Sequence, residues 1–358
     1  MRTLIQFSKG RRARQVHRDL PGLFEDELTR LGFDGRSAVL YREGDPTTFR
    51  ATGRFKASAI RSHELPTGDL NDPAGSARRL FYNDDVSIWL SRRSAPMPWL
   101  RRNVDGDECW FVHRGRGRVD TEFGPIEFEA GDYVVIPKAV THQWVMETSD
   151  NVFLIVETVD ELRAPTYAGL GRHAPFDPDV LRVPEPKVFP STEDEYEIRV
   201  KYDGEYSSIY LDHHPFDVAG WKGDYFPFAF NIRDWNVVMS DSLHLPPSMH
   251  VFLAATGVNI INLLPRPFES VRGAERLPFY HRNVDYDEIT LVHGGTTLGR
   301  PMDTGLLTHD PQGIHHGFSE RARAKTTREW DQHPRIEWEL IMVETLRPLK
   351  ADTSELAT

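Results

Sequence analysis

Residue types that bind metals or move protons recur in this chain at a fixed interval. Residues 280–295 read YHRNVDYDEITLVHGG, and residues 100–115 read LRRNVDGDECWFVHRG. Arg101–Gly115 matches His281–Gly295 without a gap. Each copy holds a Glu–x6–Gly turn, at Glu108 and Glu288, and later a Pro–x4–His, at Pro137–His142 and Pro311–His316. VFLIVETVDEL, from 152, is echoed by ELIMVETLRPL, from 339. Imidazoles and carboxylates are the side chains that ligate metals and exchange protons near neutral pH. The copies differ at one telling place, where Arg101 faces His281 in the alignment. A guanidinium stays charged and has no lone pair to give a metal, but it can pair with Glu108.

The elements that must position these residues read as short strands. VSIWLSR, ECWFVHR, IEFEAGDYVVIP and VFLIVETV alternate in polarity or run apolar, and Gly, Pro, Asn and Asp separate them, which predicts a sandwich or barrel. The repeat predicts two β-units in tandem. The Glu–x6–Gly turn followed by Pro–x4–His resembles the cupin signature, a double-sheet jelly roll. The expected fold is therefore all-β: a tandem cupin (bicupin) of jelly-roll sandwiches with a few short helices. A degenerate N-terminal cupin with a connecting stretch is expected over 1–190, and a metal-binding catalytic cupin over 191–358. Residues 163–194 hold prolines at 165, 175, 178, 184, 186 and 190 and read as the connection. Leu23, Phe24, Leu28 and Leu31, followed by Gly32, fall at helical spacing and predict a helix within 20–33.

The cupin resemblance implies a metal set of His–x–His, a glutamate and a distant histidine. In the later copy the His–x–His pair is His281 and Asn283, so a neutral amide, a poor ligand beside imidazole, takes the second place. His281, Glu288 and His316 remain. Two imidazoles and one carboxylate form the facial triad of non-haem Fe(II) oxygenases, with positions open for exogenous ligands. Glu288 rather than Asp287 matches Glu108, and His316 rather than His315 matches His142, leaving His315 as a neighbour. The earlier copy, with Arg101 in the first ligand place, reads as a decayed unit holding an ion pair instead of a metal.

Four segments carry a closer resemblance: HPFDVAGWKGDYFPFAFNI (214–232), HLPPSMH (244–250), FYHRNVDYDE (279–288) and LTHDPQGIHHGF (307–318), with RQVHRDLPGLFEDELTRLGFDGRSAVLY as a weaker match near the start. In these the chain resembles the homogentisate 1,2-dioxygenase family, especially its shorter bacterial branch. The resemblance implies one Fe(II) on His281, Glu288 and His316, with His244 as the acid–base residue. It implies opening of a hydroquinone ring with O2, homogentisate to maleylacetoacetate, in tyrosine and phenylalanine catabolism. It also implies a homo-oligomer, trimers that pair into hexamers. His250, His309, His315 and Asn283 are candidates for substrate contacts. GGTTLG, with Thr297, stands where the family carries a substrate-holding tyrosine, and LTHDPQGIHHG has one extra residue before its last metal histidine. Arg282, Arg300 and Lys222 are then the candidate cations for a substrate carboxylate. Alternative readings are a dioxygenase for another substituted hydroquinone, gentisate-like or uncharged, or a non-oxygenase metal-binding bicupin.

Bulk properties bound the partners. The 358 residues carry a formal charge of −11, with 39% hydrophobic and 27% charged residues, ordinary for a soluble two-domain chain. An acidic balance argues against nucleic acid or a membrane surface as partner. The basic start, MRTLIQFSKGRRARQ, reads as a solvated arm. No apolar run approaches the ~18 residues of a membrane span, and no secretory signal shows. Cys109 is the single cysteine, which excludes a disulfide scaffold and suits a reducing cytoplasm. In its apolar run it reads as a small core residue.

Overall fold

The computed structural model describes residues 7–30, 35–165, 178–244 and 251–352. Strands dominate. One α-helix, Glu320–Glu329, and three single 3-10 turns make up the helical content of the described residues. No helix among them is long and apolar enough to cross a membrane.

The N-terminal unit is a sandwich of two sheets. One runs, in spatial order, Phe228–Asn231, Asp132–Ile136, Asp107–Arg114, Val152–Thr158, Val86–Ser91, Arg78–Tyr82 and Lys350–Ala351. The other runs Glu205–Leu211, Tyr196–Tyr202, Leu100–Asn103, Thr141–Met146, Arg116–Thr121 and Gly124–Glu129. Alternation along one strand explains the packing. Trp110 and Val112 face the inside of this sandwich, against Val119, Phe128, Trp144 and Phe153. Trp110 and Trp144 stack with centroids 4.3 Å apart. Cys109 and Phe111, on the other face, join a second core that includes Phe252, Ile260, Ile289 and Val343 of the C-terminal unit. The two units are thus welded through a shared apolar layer, and burial pushes the Cys109 thiol pKa up.

The C-terminal unit has an eight-stranded sheet whose main path is Val251–Ala255, Val258–Leu263, Arg335–Thr345, Asp287–Thr297, Leu306–Asp310 and Ser58–Arg61. A three-stranded sheet of Tyr280–Asn283, Phe24–Thr29 and Ser37–Arg42 completes it. The halves therefore exchange strands. Three strands from the chain start finish the C-terminal sheets, while Tyr196–Tyr202, Glu205–Leu211 and Phe228–Asn231, all beyond residue 190, finish the N-terminal ones.

The expected helix within 20–33 is instead the strand Phe24–Thr29; Leu31 and Gly32 lie outside the described residues. Both edges of the strand are paired, antiparallel with Ser37–Arg42 and parallel with Tyr280–Asn283, Glu27 standing opposite His281. Two full ladders satisfy its backbone and outweigh the helical spacing of a few leucines. Asp26, fully buried, is held by Arg42 at 2.6 Å and faces Arg282 at 3.6 Å and His315 at 3.3 Å.

Candidate metal centre

His281 lies on Tyr280–Asn283, Glu288 on Asp287–Thr297, and His316 just after Leu306–Asp310. A two-hydrogen-bond bridge joins the backbones of His281 and His316, each N–H donating to the other's carbonyl at 3.1 Å. It sets the two imidazoles side by side, centroids 4.1 Å apart. Glu288 Oε2 is 3.4 Å from His316 Nε2. One ligand atom from each of the three lies within 4.8 Å of the others, the one such cluster among the described residues. Ligands at about 2.0–2.2 Å from a shared metal stand about 3 Å apart, so small side-chain movements complete the site.

The donor set fits a divalent metal on a second count. His281 Nδ1 donates to Phe279 O at 3.0 Å and His316 Nδ1 to Ile314 O at 3.2 Å. Each carbonyl takes the Nδ1 proton, so Nε2 is the atom that would face a metal. His316 Nε2 is buried without a well-directed hydrogen bond among the described residues. Burial, then the neighbouring His316, holds His281 down to about 3. Burial also works against a charged His316, but Glu288 and Asp310 outweigh it and push that group up to about 9.

The surroundings hold Glu288 in place. Asn283 Nδ2 donates to Glu288 Oε2 at 3.3 Å. Asp287 turns the other way and accepts from the backbone N–H of Gln312 at 3.0 Å and of Leu349 at 2.9 Å. Two further acids share the Glu288 face, since Glu344 and Asp310 are its cross-strand partners. Burial and the Glu288 charge push Glu344 up to about 8, and burial raises Asp310.

The other sequence candidates fall in different places. His244 is buried, with Nδ1 3.0 Å from Glu269 Oε1, and Arg266 binds the same oxygen at 2.9 Å. Phe279 neighbours both His244 and the cluster, its ring centroid 6.0 Å from that of His244 and 5.6 Å from that of His281. Burial lowers the His244 pKa. His309 and His315 are not brought into the cluster. His309 donates toward Asp287 at 2.8 Å on the far side of its strand, beside Phe81, and His315 turns to Asp26. Asn283 supports Glu288, and His250 lies outside the described residues. Arg282 faces Asp26, while Arg300 and Lys222 are exposed.

Sequence reasoning missed Glu269, Arg266, His17 and Glu344. His17 stacks on Phe279 at 3.9 Å and bonds Glu25 at 2.8 Å, so the chain start reaches the rim of the site. Glu344 has a signal: the repeat aligns it with Glu157. Glu269 and Arg266 belong to no motif.

The first copy is built on the same plan with a different filling. Arg101 donates to both Glu108 oxygens, at 2.6 and 2.5 Å, and Asn103 donates to Glu108 at 2.8 Å. His142 Nδ1 donates to Val140 O at 3.1 Å, and its Nε2 stops 3.9 Å from Glu108. The guanidinium occupies the space a metal would need.

Two welded β-sandwiches with one His–Glu–His cluster define a tandem cupin. Residues 76–232 match the family model described as homogentisate 1,2-dioxygenase N-terminal. The chain is 28% identical over 347 residues to a protein of Saccharolobus solfataricus provisionally named a dioxygenase, covering 92% of this chain and 89% of that one. It is 25% identical over 307 residues to the homogentisate 1,2-dioxygenase of Pseudomonas savastanoi pv. phaseolicola, covering 83% and 70%. Similar solved structures include a cupin 2 conserved barrel domain protein from Leptotrichia buccalis (10% identity, TM-score 0.32, covering 83% and 92%). Another is a mutant Bacillus subtilis oxalate decarboxylase (9%, TM-score 0.39, covering 87% and 82%). The chain is thus similar to the homogentisate 1,2-dioxygenase family, with the family-model match confined to residues 76–232.

Proposed function

We propose that this chain is a ring-cleaving dioxygenase that holds one Fe(II) on His281, Glu288 and His316 and opens a hydroquinone-type ring, homogentisate first among them. The observation that carries the reading is the paired Nδ1-to-carbonyl bonds, which leave the two Nε2 atoms gathered with one glutamate. Fe(II) held by these three residues would supply Lewis acidity toward a ring hydroxyl and O2. Glu288 contributes a negative charge that offsets the metal, and Asn283 keeps that carboxylate oriented. His244 Nδ1 stands 3.0 Å from both Glu269 Oε1 and Arg266 Nη2; the tautomer in which Glu269 accepts the Nδ1 proton leaves Nε2 as the base for a ring hydroxyl proton. Burial lowers the basicity of His244 and so keeps its imidazole neutral and able to accept. The test is anaerobic loading with Fe(II), then O2 uptake on adding homogentisate or other hydroquinones. Absence of uptake with every ring, in protein holding about one iron per chain, would remove the dioxygenase reading.

A second reading of the substrate has its own support. Thr297 Oγ1 accepts from Trp338 Nε1 at 2.6 Å, so its hydroxyl is engaged away from the cluster. A ring without a carboxylate would need no replacement for the family's tyrosine.

A further inference from the structure

The N-terminal unit contains a cavity of about 130 Å3 beside its Arg101–Glu108 pair, where the C-terminal unit holds its His–Glu–His cluster. Both sheets line it. Trp89 and Trp110 come from one, Arg101 and Tyr206 from the other, and Arg93 and Trp99 from the segment joining Val86–Ser91 to Leu100–Asn103.

The walls have flat apolar faces and an excess of hydrogen-bond donors. Arg93 is 2% exposed, and its Nε has no partner among the described residues. Its other nitrogens are held by the carbonyls of Pro73 at 2.5 Å and Gly75 at 3.0 Å. The indole N–H groups of Trp89 and Trp99 are likewise buried without acceptors. The acidic side chains in the wall are already engaged. Glu108 receives Arg101 and the Trp110 N–H, Glu157 receives Lys201, and Asp69 receives Ser91 and the backbone of Arg92. What remains unmatched is donor only. A buried donor without a partner forfeits the hydrogen bond it would make in water, so an acceptor brought from outside is favoured there. An apolar cavity of roughly 150 Å3 accommodates a benzene ring, which sets the size. Offset or edge-on stacking against indoles sets the shape.

We infer that this cavity is a second ligand site, for a single-ring aromatic molecule bearing a planar oxygen acceptor, either carboxylate or carbonyl. Arg101 denies it a metal, so it binds without transforming. The inference does not depend on the reaction proposed for the other unit.

Fluorine NMR of the full-length, chelator-treated protein with 4-fluorobenzoate tests it. Saturable binding is expected, displaced by benzoate and benzamide. Benzylamine, which brings a cation and donors, and cyclohexanecarboxylate, which lacks a flat face, are expected to displace poorly. Ala77→Phe fills the cavity and should weaken binding by about tenfold or more; Trp99→Leu removes a stacking wall and serves if the first variant does not fold. His281→Ala should bind as the parent does. Absence of saturable binding at millimolar probe, unchanged binding in both cavity variants, equal displacement by benzylamine, or loss of binding in His281→Ala would each overturn the proposal.

Discussion

His113 and His293 stand at equivalent places in the two repeats and touch each other, Nδ1 to Nδ1 at 3.1 Å. Equivalent residues meet only near an axis relating two copies, so this pair marks the seam of the duplicated fold. Both rings are buried, and an Nδ1–Nδ1 contact of this length has room for one proton, not two. Burial, then the neighbouring imidazole, holds His113 down to about 3, and burial holds His293 at about 4.

That seam predicts an acid sensitivity. Both groups have folded pKa values below the unfolded value of 6.5, so the unfolded chain takes up protons first as pH falls. Their stabilisation is complete above about pH 6.5 and is lost progressively toward pH 3, on the order of 3 kcal/mol per imidazole. Urea midpoints of the wild type should fall between pH 7 and 5. His113→Gln should flatten that slope by up to one proton. An unchanged slope would mean the pair does not couple folding to pH.

Arg101 predicts the metal count. With its guanidinium on Glu108, the N-terminal unit has no free His–Glu–His ligand set for an ion, and the wild type should bind about one Fe(II) or Co(II) per chain. His281→Ala should bind close to none. Arg101→His should restore a set of three ligands, two imidazoles and Glu108, and raise the cobalt content toward two per chain. Arg101→Ala should instead destabilise by about 3–5 kcal/mol, because it strands a buried carboxylate. Two metals in the wild type, by elemental analysis, would refute the assignment.

The sequence made the His281–Glu288–His316 cluster legible because a duplication kept its spacing while changing one residue. Arg101 in place of His281 showed which copy lacked a ligand. The strand Phe24–Thr29 was hidden because its parallel partner lies some 250 residues away, and because Leu23, Phe24 and Leu28 mimic a helical face. The exchange of strands across residue 190 was hidden for the same reason: pairing is nonlocal and leaves no mark on composition. His309 and His315 could not be sorted from ligands by type. Strand register and a neighbouring aspartate, not spacing, decide which way each ring turns. Glu269 had no signal at all, since one glutamate in RPFES is indistinguishable from a surface acid.

Glu269 leads to a test of His244. If Glu269 holds the His244 tautomer, His244→Gln should keep iron and lose turnover by roughly 10²–10⁴-fold. Glu269→Gln should lose less and shift the acidic limb of the kcat/KM profile to lower pH, because removing the carboxylate charge lowers the imidazole pKa. Wild-type turnover in iron-replete His244→Gln would take His244 out of the mechanism.

Assembly is the next expectation. The strand Glu205–Leu211 is an open sheet edge, with Tyr210 58% and Ile209 40% exposed and Tyr202 beside it 70% exposed. Open edges with apolar side chains invite pairing. A second copy covering this edge should give an oligomeric mass by light scattering, and Ile209→Lys should reduce it. A monomeric wild type would reject the idea.

The substrate's ring substituent is the last question, and the cations around the site decide it. Arg282, on the opposite face of its strand from His281, faces Asp26, and Arg300 and Lys222 are exposed. Thr297 is bonded to Trp338. Among the described residues the buried Arg276 also interacts with Glu269, and the cation directly beside His244 is Arg266, buried and bound to Glu269. A substrate carboxylate reaching this region would have to share that guanidinium with Glu269, and a buried carboxylate without a cation costs several kcal/mol. If Arg266 receives it, homogentisate should exceed methylhydroquinone and unsubstituted hydroquinone in kcat/KM, and Arg266→Met should erase the difference while keeping iron. Gentisate, with its carboxylate directly on the ring, reaches less far and should gain less. A tenfold preference for an uncharged ring, about 1.4 kcal/mol in transition-state binding, would reject homogentisate and leave the iron chemistry standing.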